Sequence, residues 1–537
     1  MLIPIDWIIV AAYFLVVFVV AFLAMAREKN GQKTTAGYFL AGRNAGWFVI
    51  GASLFASNIG PEHLVGLAGT GAASGVAVAQ FEVWASLILL ILGWVFVPFY
   101  LKSGVFTMPE FLERRYSPAA RWYLAIISIV GYVLTKISVS LVAGGIVFET
   151  LMGIDFWTGA IIVLVATGIY TMLGGLRAVL YTDMLQMFVI IGGSMAVTII
   201  GLNQLGGWSE MSEIAGSSFM SMWKPMSDPD FPWTGIVFGV PILGVWYWCT
   251  DQFIVQRVLS AGNIDQAQRG TIFGGFLKLL PLFIFVIPGV VAYCLVETGR
   301  LELSQADQAL PTLITTLLPA GVRGLVVAGL LAALMSSLSS VFNACSSLVT
   351  LDIYKKLRPD ATERKLVFVG QASTVVLIAC AFAWIPLMRL LSGGQLYVYL
   401  QRVQADISPP IAAVFLIGIL WKRVNAQGAI ASLATGFVLG MTRLVLDVNK
   451  SSLSEGWVLS VVTMNFLHFA ILLFTVCVVV LVGVSLLCPA EPAAKLEGLT
   501  FSTMERDGPR TTMHRKNVWL SGVLILAVVA VWLYFSG

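Results

Sequence analysis

Seven ionisable side chains stand inside stretches that are otherwise apolar: Glu82, Lys136, Asp183, Asp251, Lys278, Arg402 and Asp406. His63 and Gln401 add polar capacity in the same kind of setting. A charge taken out of water is expensive, so each of these groups is either half of a structural ion pair or part of a polar cavity. Arg402 and Asp406 are i, i+4 and can pair with each other. A second cluster carries hydroxyls. Ser336, Ser337, Ser339 and Ser340 interrupt an apolar run, and Ser336, Ser337 and Ser340 can share one helix face with Ser339 beside Ser336. Isolated serines in such a run bond back to their own helix or allow close packing. Four together fit the oxygen ligands of a small dehydrated cation. With few carboxylates nearby the chemistry favours a monovalent ion, Na⁺, over calcium. The same residues leave proton coupling through Asp183 or Glu82 open.

A third signal mixes aromatic and hydrogen-bonding groups. Trp246, Tyr247 and Trp248 form one run. A sugar offers hydroxyls at its rim and C–H faces above and below, so Glu, Asn, Gln, Lys and His would meet the rim while aromatic faces cover the ring. A buried polar site of that kind rejects molecules that lack the matching hydroxyls, because its own groups go unpaired. Enzyme signatures are missing. There are three histidines, His63, His468 and His514, and no HExxH, GxSxG or P-loop pattern, which also argues against direct ATP drive. The six cysteines fall in or at the ends of apolar stretches without metal spacing and read as buried free thiols.

These residues need helices to hold them. The 537-residue chain is 58% hydrophobic and 11% charged, too few charges for a soluble surface of that size. Apolar blocks of about twenty residues match the length of a bilayer-crossing helix. About fourteen spans are expected: 5–26, 46–73, 76–101, 120–150, 156–174, 180–202, 234–258, 270–296, 308–353, 366–391, 393–421, 427–447, 457–488 and 517–536. The first has no basic residues before it and no small-residue cleavage site after it, so it reads as a retained helix. Alternate loops are basic. Arg27, Lys29, Lys33 and Arg43 follow the first span; Lys102, Arg114, Arg115 and Arg121 the third; Arg177 the fifth; Arg257 and Arg269 the seventh. Lys355, Lys356, Arg358, Arg364 and Lys365 follow the ninth, Lys422 and Arg423 the eleventh, and Arg506, Arg510, Arg515 and Lys516 precede the last. The positive-inside tendency then puts both termini outside the cytoplasm, as an even span count also requires.

Two spans are interrupted near their middles, at Ala56-Ser57-Asn58-Ile59-Gly60-Pro61-Glu62-His63 and at Trp246-Tyr247-Trp248-Cys249-Thr250-Asp251-Gln252. They lie five spans apart, so each would open a five-helix unit, and an odd-numbered unit inverts between halves. Broken helices at matching positions point to a transport site. The segments expected are an extra helix and loop at 1–45, a first repeat at 46–202, an extracellular loop at 203–233, a second repeat at 234–421 and extra helices at 422–537.

At these residues the chain resembles the sodium/solute symporters, in particular the sodium–glucose cotransporter branch. The likeness runs from about residue 35 to 445. It is carried by Ala56 to Gly60, Gly66 to Gly75, Trp246 to Gln252, Ile254 to Arg257, Pro409 to Phe415 and Trp421 to Arg423. The resemblance implies an all-α leucine-transporter-type fold, two inverted five-helix repeats with peripheral helices. It also implies sodium-coupled import of a hexose across the plasma membrane. Its main sodium site maps to the carbonyls of Ala56, Ile59 and Ala333 and the hydroxyls of Ser336 and Ser337. A second site, present in some members, maps to Asp183, Ser336, Ser339 and Ser340, so one-ion and two-ion stoichiometries are both open. The sugar-contacting positions map to Asn58, His63, Glu82, Tyr247, Trp248, Lys278 and Gln401, with Tyr247 as an inner-gate aromatic.

Departures bear on which cargo is carried. Gln404 stands where the animal glucose carriers have a threonine near the sugar, Pro61-Glu62 replace smaller residues before His63, and Gly244 replaces a threonine. Arg402 and Asp406 replace neutral residues. Two alternatives are carried: the same fold with myo-inositol or another non-sugar solute, and a sodium-gated sensor without concentrative uptake. Glu82 beside the cargo argues against an anionic one.

Overall fold

The computed structural model describes residues 2–26, 34–391, 396–503 and 512–537, which form helices joined by turns. Eleven helices among them are long and apolar enough to cross a membrane. Two shorter apolar helices, Trp47–Asn58 and Phe156–Ile169, and the helix Glu363–Leu391 fall on further expected spans. Arg27, Lys29, Lys33, Arg506 and Arg510, and the start of the span expected from 393, lie outside the described residues.

Enclosure separates centre from rim. The span Val322–Leu357 has 94% of its most apolar stretch buried, whereas Pro4–Ala24, Phe466–Leu487 and Thr512–Tyr534 have 28%, 28% and 22%. The serine-rich helix is therefore the central one, and the first and last helices present leucine, valine and phenylalanine to the surface, as lipid contact requires. The long helix Phe156–Leu205, bent at Gly175 where φ is +54°, packs along the serine helix. The helix Ile264–Leu277 lies against Trp47–Asn58 closely enough that a Cβ on Gly51 would stand 2.7 Å from the Gly270 carbonyl. Such small-residue seams supply the packing that a hydrophobic effect between helices cannot supply in lipid.

Both expected breaks are present. The first helix of the pair ends at Asn58, Ile59 turns extended (ψ 91°), and the chain resumes as a wide π turn over Glu62–Leu67. The second has a π turn over Val245–Thr250, then Asp251 in extended geometry, then a helix over Gln252–Leu259. Another of the π turns covers Val133–Ile137. These wide turns, which often mark functional sites, carry His63, Tyr247 and Lys136 respectively with their neighbours.

Several boundaries differ from expectation. The span expected over 308–353 is two helices, Ala309–Leu317 and Val322–Ser347, because the chain turns at Gly321 with φ +84°. The segment 203–233 holds a helix, Trp208–Met220, and the span over 457–488 divides into Trp457–Val462 and Phe466–Leu487. The second half of that division follows from Asn465, whose side chain caps the longer helix at Leu467 and His468.

Asp6 on the first helix is fully buried and caps the serine helix from outside. It accepts from the backbone of Gly321 (2.8 Å) and Gly324 (3.0 Å) and pairs with Arg323 at 2.9 Å. A foreign carboxylate thus meets the orphan N–H groups and the positive end of that helix.

Candidate functional site

The break after Asn58 redirects backbone bonding. In an unbroken helix the Ala56 and Ile59 carbonyls would accept from Gly60 and His63. Here the Gly60 N–H donates to the Asn58 carbonyl and the His63 N–H to the Gly60 carbonyl, each at 2.9 Å. The Ala56 and Ile59 carbonyls are released from those donors, and Pro61 has no N–H to offer. Ala333 lies mid-helix and keeps its helical setting. The serine helix presents its hydroxyls to this break. Ser337 donates to the Ser57 carbonyl (3.1 Å), Ser336 to Asp183 (2.5 Å) and Ser340 to the Ser57 hydroxyl (3.0 Å). Ser339 turns back to the Ser336 carbonyl of its own helix (3.0 Å), so it does not join the other three.

Asp183 also accepts from Ser53 (2.5 Å) and Ser57 (2.8 Å). The expected second-site residues Asp183, Ser336 and Ser340 therefore converge, and at their centre stands a residue sequence reasoning placed in a loop. Arg257 is fully buried. Its Nε donates to Ser53 (3.0 Å) and Ser57 (2.8 Å), and its other nitrogens reach Ser340 and the Phe253 carbonyl. Arg115 and Arg121, also expected among loop charges, are buried as well. Arg115 donates to the Gly418 and Val424 carbonyls, at 2.9 and 3.0 Å, and Arg121 pairs with Asp352 at 2.7 Å.

Beside the ion-type cluster lies a cavity of about 50 Å³, room for a few waters rather than for a ligand of ordinary size. Asn58, His63, Glu82 and Lys136 line one part of it, and Tyr247, Trp248, Gln401 and Gln404 another. Seven of the eight expected cargo-contacting residues thus face one space. The eighth, Lys278, sits directly behind, bonded to Glu82 and to Asn58 Oδ1 (2.5 Å). Asn58 Nδ2 in turn donates to the Tyr247 hydroxyl at 2.9 Å, which ties the two broken helices together. His63 Nε2 is 3.4 Å from Glu82 Oε1. Lys278 Nζ lies 5.4 Å from the Trp248 ring centre and Lys136 Nζ 4.9 Å from that of Tyr247, both within cation–π range. The polar groups satisfy one another across the cavity, so any occupant must replace those bonds one for one. That is a strong filter for a molecule rich in hydroxyls.

Three expected charges belong elsewhere. Asp251 caps the helix Gln252–Leu259 through the Phe253 N–H (3.0 Å) and accepts from the Tyr132 hydroxyl, a structural role. Arg402 and Asp406 do not pair with each other. Asp406 binds Arg443 at 2.8 Å, and Arg402, half-exposed, lies 3.8 Å from Asp230. The i, i+4 spacing is overridden because a better donor approaches Asp406 from the neighbouring helix. Glu62, in the sequence only a departure from the animal carriers, is fully buried and pairs with Lys136 at 3.1 Å. Cys249, Cys294, Cys345 and Cys477 are buried free thiols as expected, whereas Cys380 is exposed.

The model of the sodium:solute symporter family matches residues 38–436. The chain is 40% identical to sodium/glucose cotransporter 1 of Oryctolagus cuniculus, over 93% of this chain and 81% of that protein. It is 41% identical to the sodium/mannose cotransporter of Bos taurus, over 94% and 90%, and 39% identical to the sodium/myo-inositol cotransporter of Homo sapiens, over 92% and 75%. These relatives are cotransporters, not enzymes. Among solved structures, a Na⁺-coupled sialic acid symporter in its substrate-bound, outward-open state superposes with a TM-score of 0.78 at 22% identity, covering 91% of this chain and 99% of that one. The shared architecture is the leucine-transporter-type fold that the family resemblance implies.

Proposed function

We propose that this chain, which belongs to the sodium:solute symporter family, binds a hexose between Glu82 and Tyr247, where the closed cavity of about 50 Å³ must widen to admit it, and imports it together with sodium by alternating access. The observation that carries the reading is the convergence of Asn58, His63, Glu82, Tyr247, Trp248, Gln401 and Gln404 on one cavity, with Lys278 behind them. Carboxylate, amide and ammonium groups suit ring hydroxyls, and the Tyr247 and Trp248 faces suit the C–H surface. The relatives named for glucose and mannose transport support the same cargo class.

Sodium takes the break. The Ala56 and Ile59 carbonyls, freed from their helical donors, and the Ser336 and Ser337 hydroxyls are the ligands of choice, with the Ala333 carbonyl offering its second lone pair. Rotation of the two hydroxyls away from Asp183 and the Ser57 carbonyl turns their oxygens toward the ion. Ion binding fixes the broken helix against the serine helix and so places Asn58, two residues from Ala56, for the cargo. Cargo then closes the outer gate, and loss of sodium to a low-sodium cytoplasm releases the sugar past Tyr247. Coupling of this kind is reciprocal, so sugar must tighten sodium by the factor by which sodium tightens sugar. Each sodium crossing about 100 mV contributes about 2.3 kcal/mol to accumulation. The setting is the plasma membrane with both termini outside the cytoplasm, which the alternation of basic loops supports.

Uptake of radiolabelled glucose, galactose and myo-inositol into proteoliposomes, under an inward sodium or potassium gradient, tests the reading. Sodium-driven accumulation of a hexose upholds it. Uptake indifferent to sodium sinks the ion assignment. Preference for myo-inositol moves the cargo to the second reading, which the similarity to the human myo-inositol carrier favours.

A further inference from the structure

Taking the cavity to be the sugar site proposed above, we infer that Lys136 is a specificity-determining residue that donates to one oxygen of the sugar, and that Glu62 is the positioning residue that holds its ammonium there.

The two side chains come from separate wide turns. Lys136 stands on the turn Val133–Ile137 and Glu62 on the turn Glu62–Leu67, just past the first break. Lys136 lines the cavity that holds Glu82, Gln401 and Tyr247, and its Nζ meets Glu62 Oε1 at 3.1 Å. Both residues are nearly or wholly inaccessible, at 4% and 0%. The carboxylate folds back over the break, where a Cβ at Gly60 would overlap it, so Gly60 is what admits Glu62 to this position. Its second oxygen, Oε2, has no hydrogen-bond partner among the described residues. A buried carboxylate with one idle oxygen is poorly compensated for a purely structural pair, since such pairs persist only when the remaining lone pairs are satisfied.

An ammonium has three donors. Glu62 takes one, and the Tyr247 ring centre lies 4.9 Å from the Nζ, so donors remain for an occupant of the cavity. Glu82 on the cavity lining forms a second ion pair with Lys278 behind it, and His63 stands between the two carboxylates, 3.8 Å from Glu62 and 3.4 Å from Glu82. The site thus carries two ion pairs, each neutral as a pair, and the Lys136 ammonium lines the cavity itself. A neutral polyhydroxylated ring can bridge them. Removing the sugar oxygen that faces Lys136 strands a charged donor, a larger loss than stranding a neutral one. Selectivity at that one position on the ring then traces to residues 62 and 136.

The test is a cycle of protein and sugar variants. Sodium-driven uptake of the transported hexose and of its single-deoxy derivatives is measured in proteoliposomes for the wild type, Lys136→Met, Glu62→Gln and the double variant Glu62→Gln/Lys136→Met. The double variant removes both charges and so avoids leaving either one buried alone. The expected result is that one deoxy derivative has a KM roughly tenfold or more above that of the parent hexose in the wild type. In Lys136→Met and in the double variant that difference vanishes, while the penalties for the other derivatives stay as in the wild type. Glu62→Gln shrinks the same difference without abolishing it. An equal change for every derivative, or none, overturns the inference and leaves the sugar reading intact. Absence of sodium-driven uptake of any hexose by the wild type overturns both.

Discussion

Arg257 Nη2 lies 3.8 Å from Asp183 Oδ2, and both side chains are fully buried. A guanidinium therefore occupies the surroundings of the one carboxylate that could draw a second sodium. Removing either partner leaves an uncompensated charge in a low-dielectric interior, which typically costs about 3–5 kcal/mol. Arg257→Gln and Asp183→Asn are each expected to lower the unfolding temperature in detergent markedly. Their combination should be less destabilising than the sum of the two. Strict additivity in thermal unfolding would show that the pair carries no coupling.

Ser337 and Ser339 make opposite predictions two residues apart. The Ser337 hydroxyl faces the break and the Ser339 hydroxyl its own helix. Ser337→Ala is expected to raise the sodium concentration for half-maximal uptake roughly tenfold, the loss of a hydrogen bond or ligand worth about 1.4 kcal/mol. Ser339→Ala should leave that concentration within about twofold. Equal shifts in the sodium titration would dissolve the face assignment.

Glu82 and Lys278 can be separated into folding and binding roles. Glu82→Gln strands a buried ammonium, while Glu82→Gln/Lys278→Met removes both charges. The double variant is expected to recover much of the folded yield that the single one loses, yet to carry hexose at least about a hundredfold less well, since two charged hydrogen-bond partners of the sugar are gone. Recovery of uptake alongside yield would make the pair structural.

Tyr247→Phe deletes the hydroxyl that accepts from Asn58 and keeps the ring. A KM increase of about five- to thirtyfold is expected, corresponding to about 1–2 kcal/mol, with the sodium dependence of transport preserved. Cargo titrations at saturating sodium measure it, and an unchanged KM would remove Tyr247 from the cargo site.

The fold was legible because its two defects are written in residue types. Pro61 behind Gly60 forbids a continuous helix, and Asp251 has a cap's chemistry inside an apolar run. The cavity was legible because Glu82, Lys278 and Gln401 are too polar for their surroundings. What escaped was pairing across sequence distance. Arg257 follows a helix break and borders the segment 259–269, so its position alone looks like a loop, although it reaches Ser340 in space. Glu62 beside His63 gave no sign of Lys136 seventy-odd residues on. The i, i+4 rule suggested Arg402 for Asp406, and a helix neighbour, Arg443, supplied the partner instead. Local spacing tells which residues are candidates, and tertiary approach decides which become partners.

Asp6 gives the outer helix a mechanical role. An outer helix is riveted through one carboxylate to the head of the most enclosed span, four turns above the serine row. A thicker or thinner bilayer tilts an outer helix first. Through that rivet a tilt would pull on the helix that carries Ser336 and Ser337, so on the ion site proposed above the sodium affinity is expected to vary with bilayer thickness, as sodium titrations in vesicles of different acyl-chain length would show.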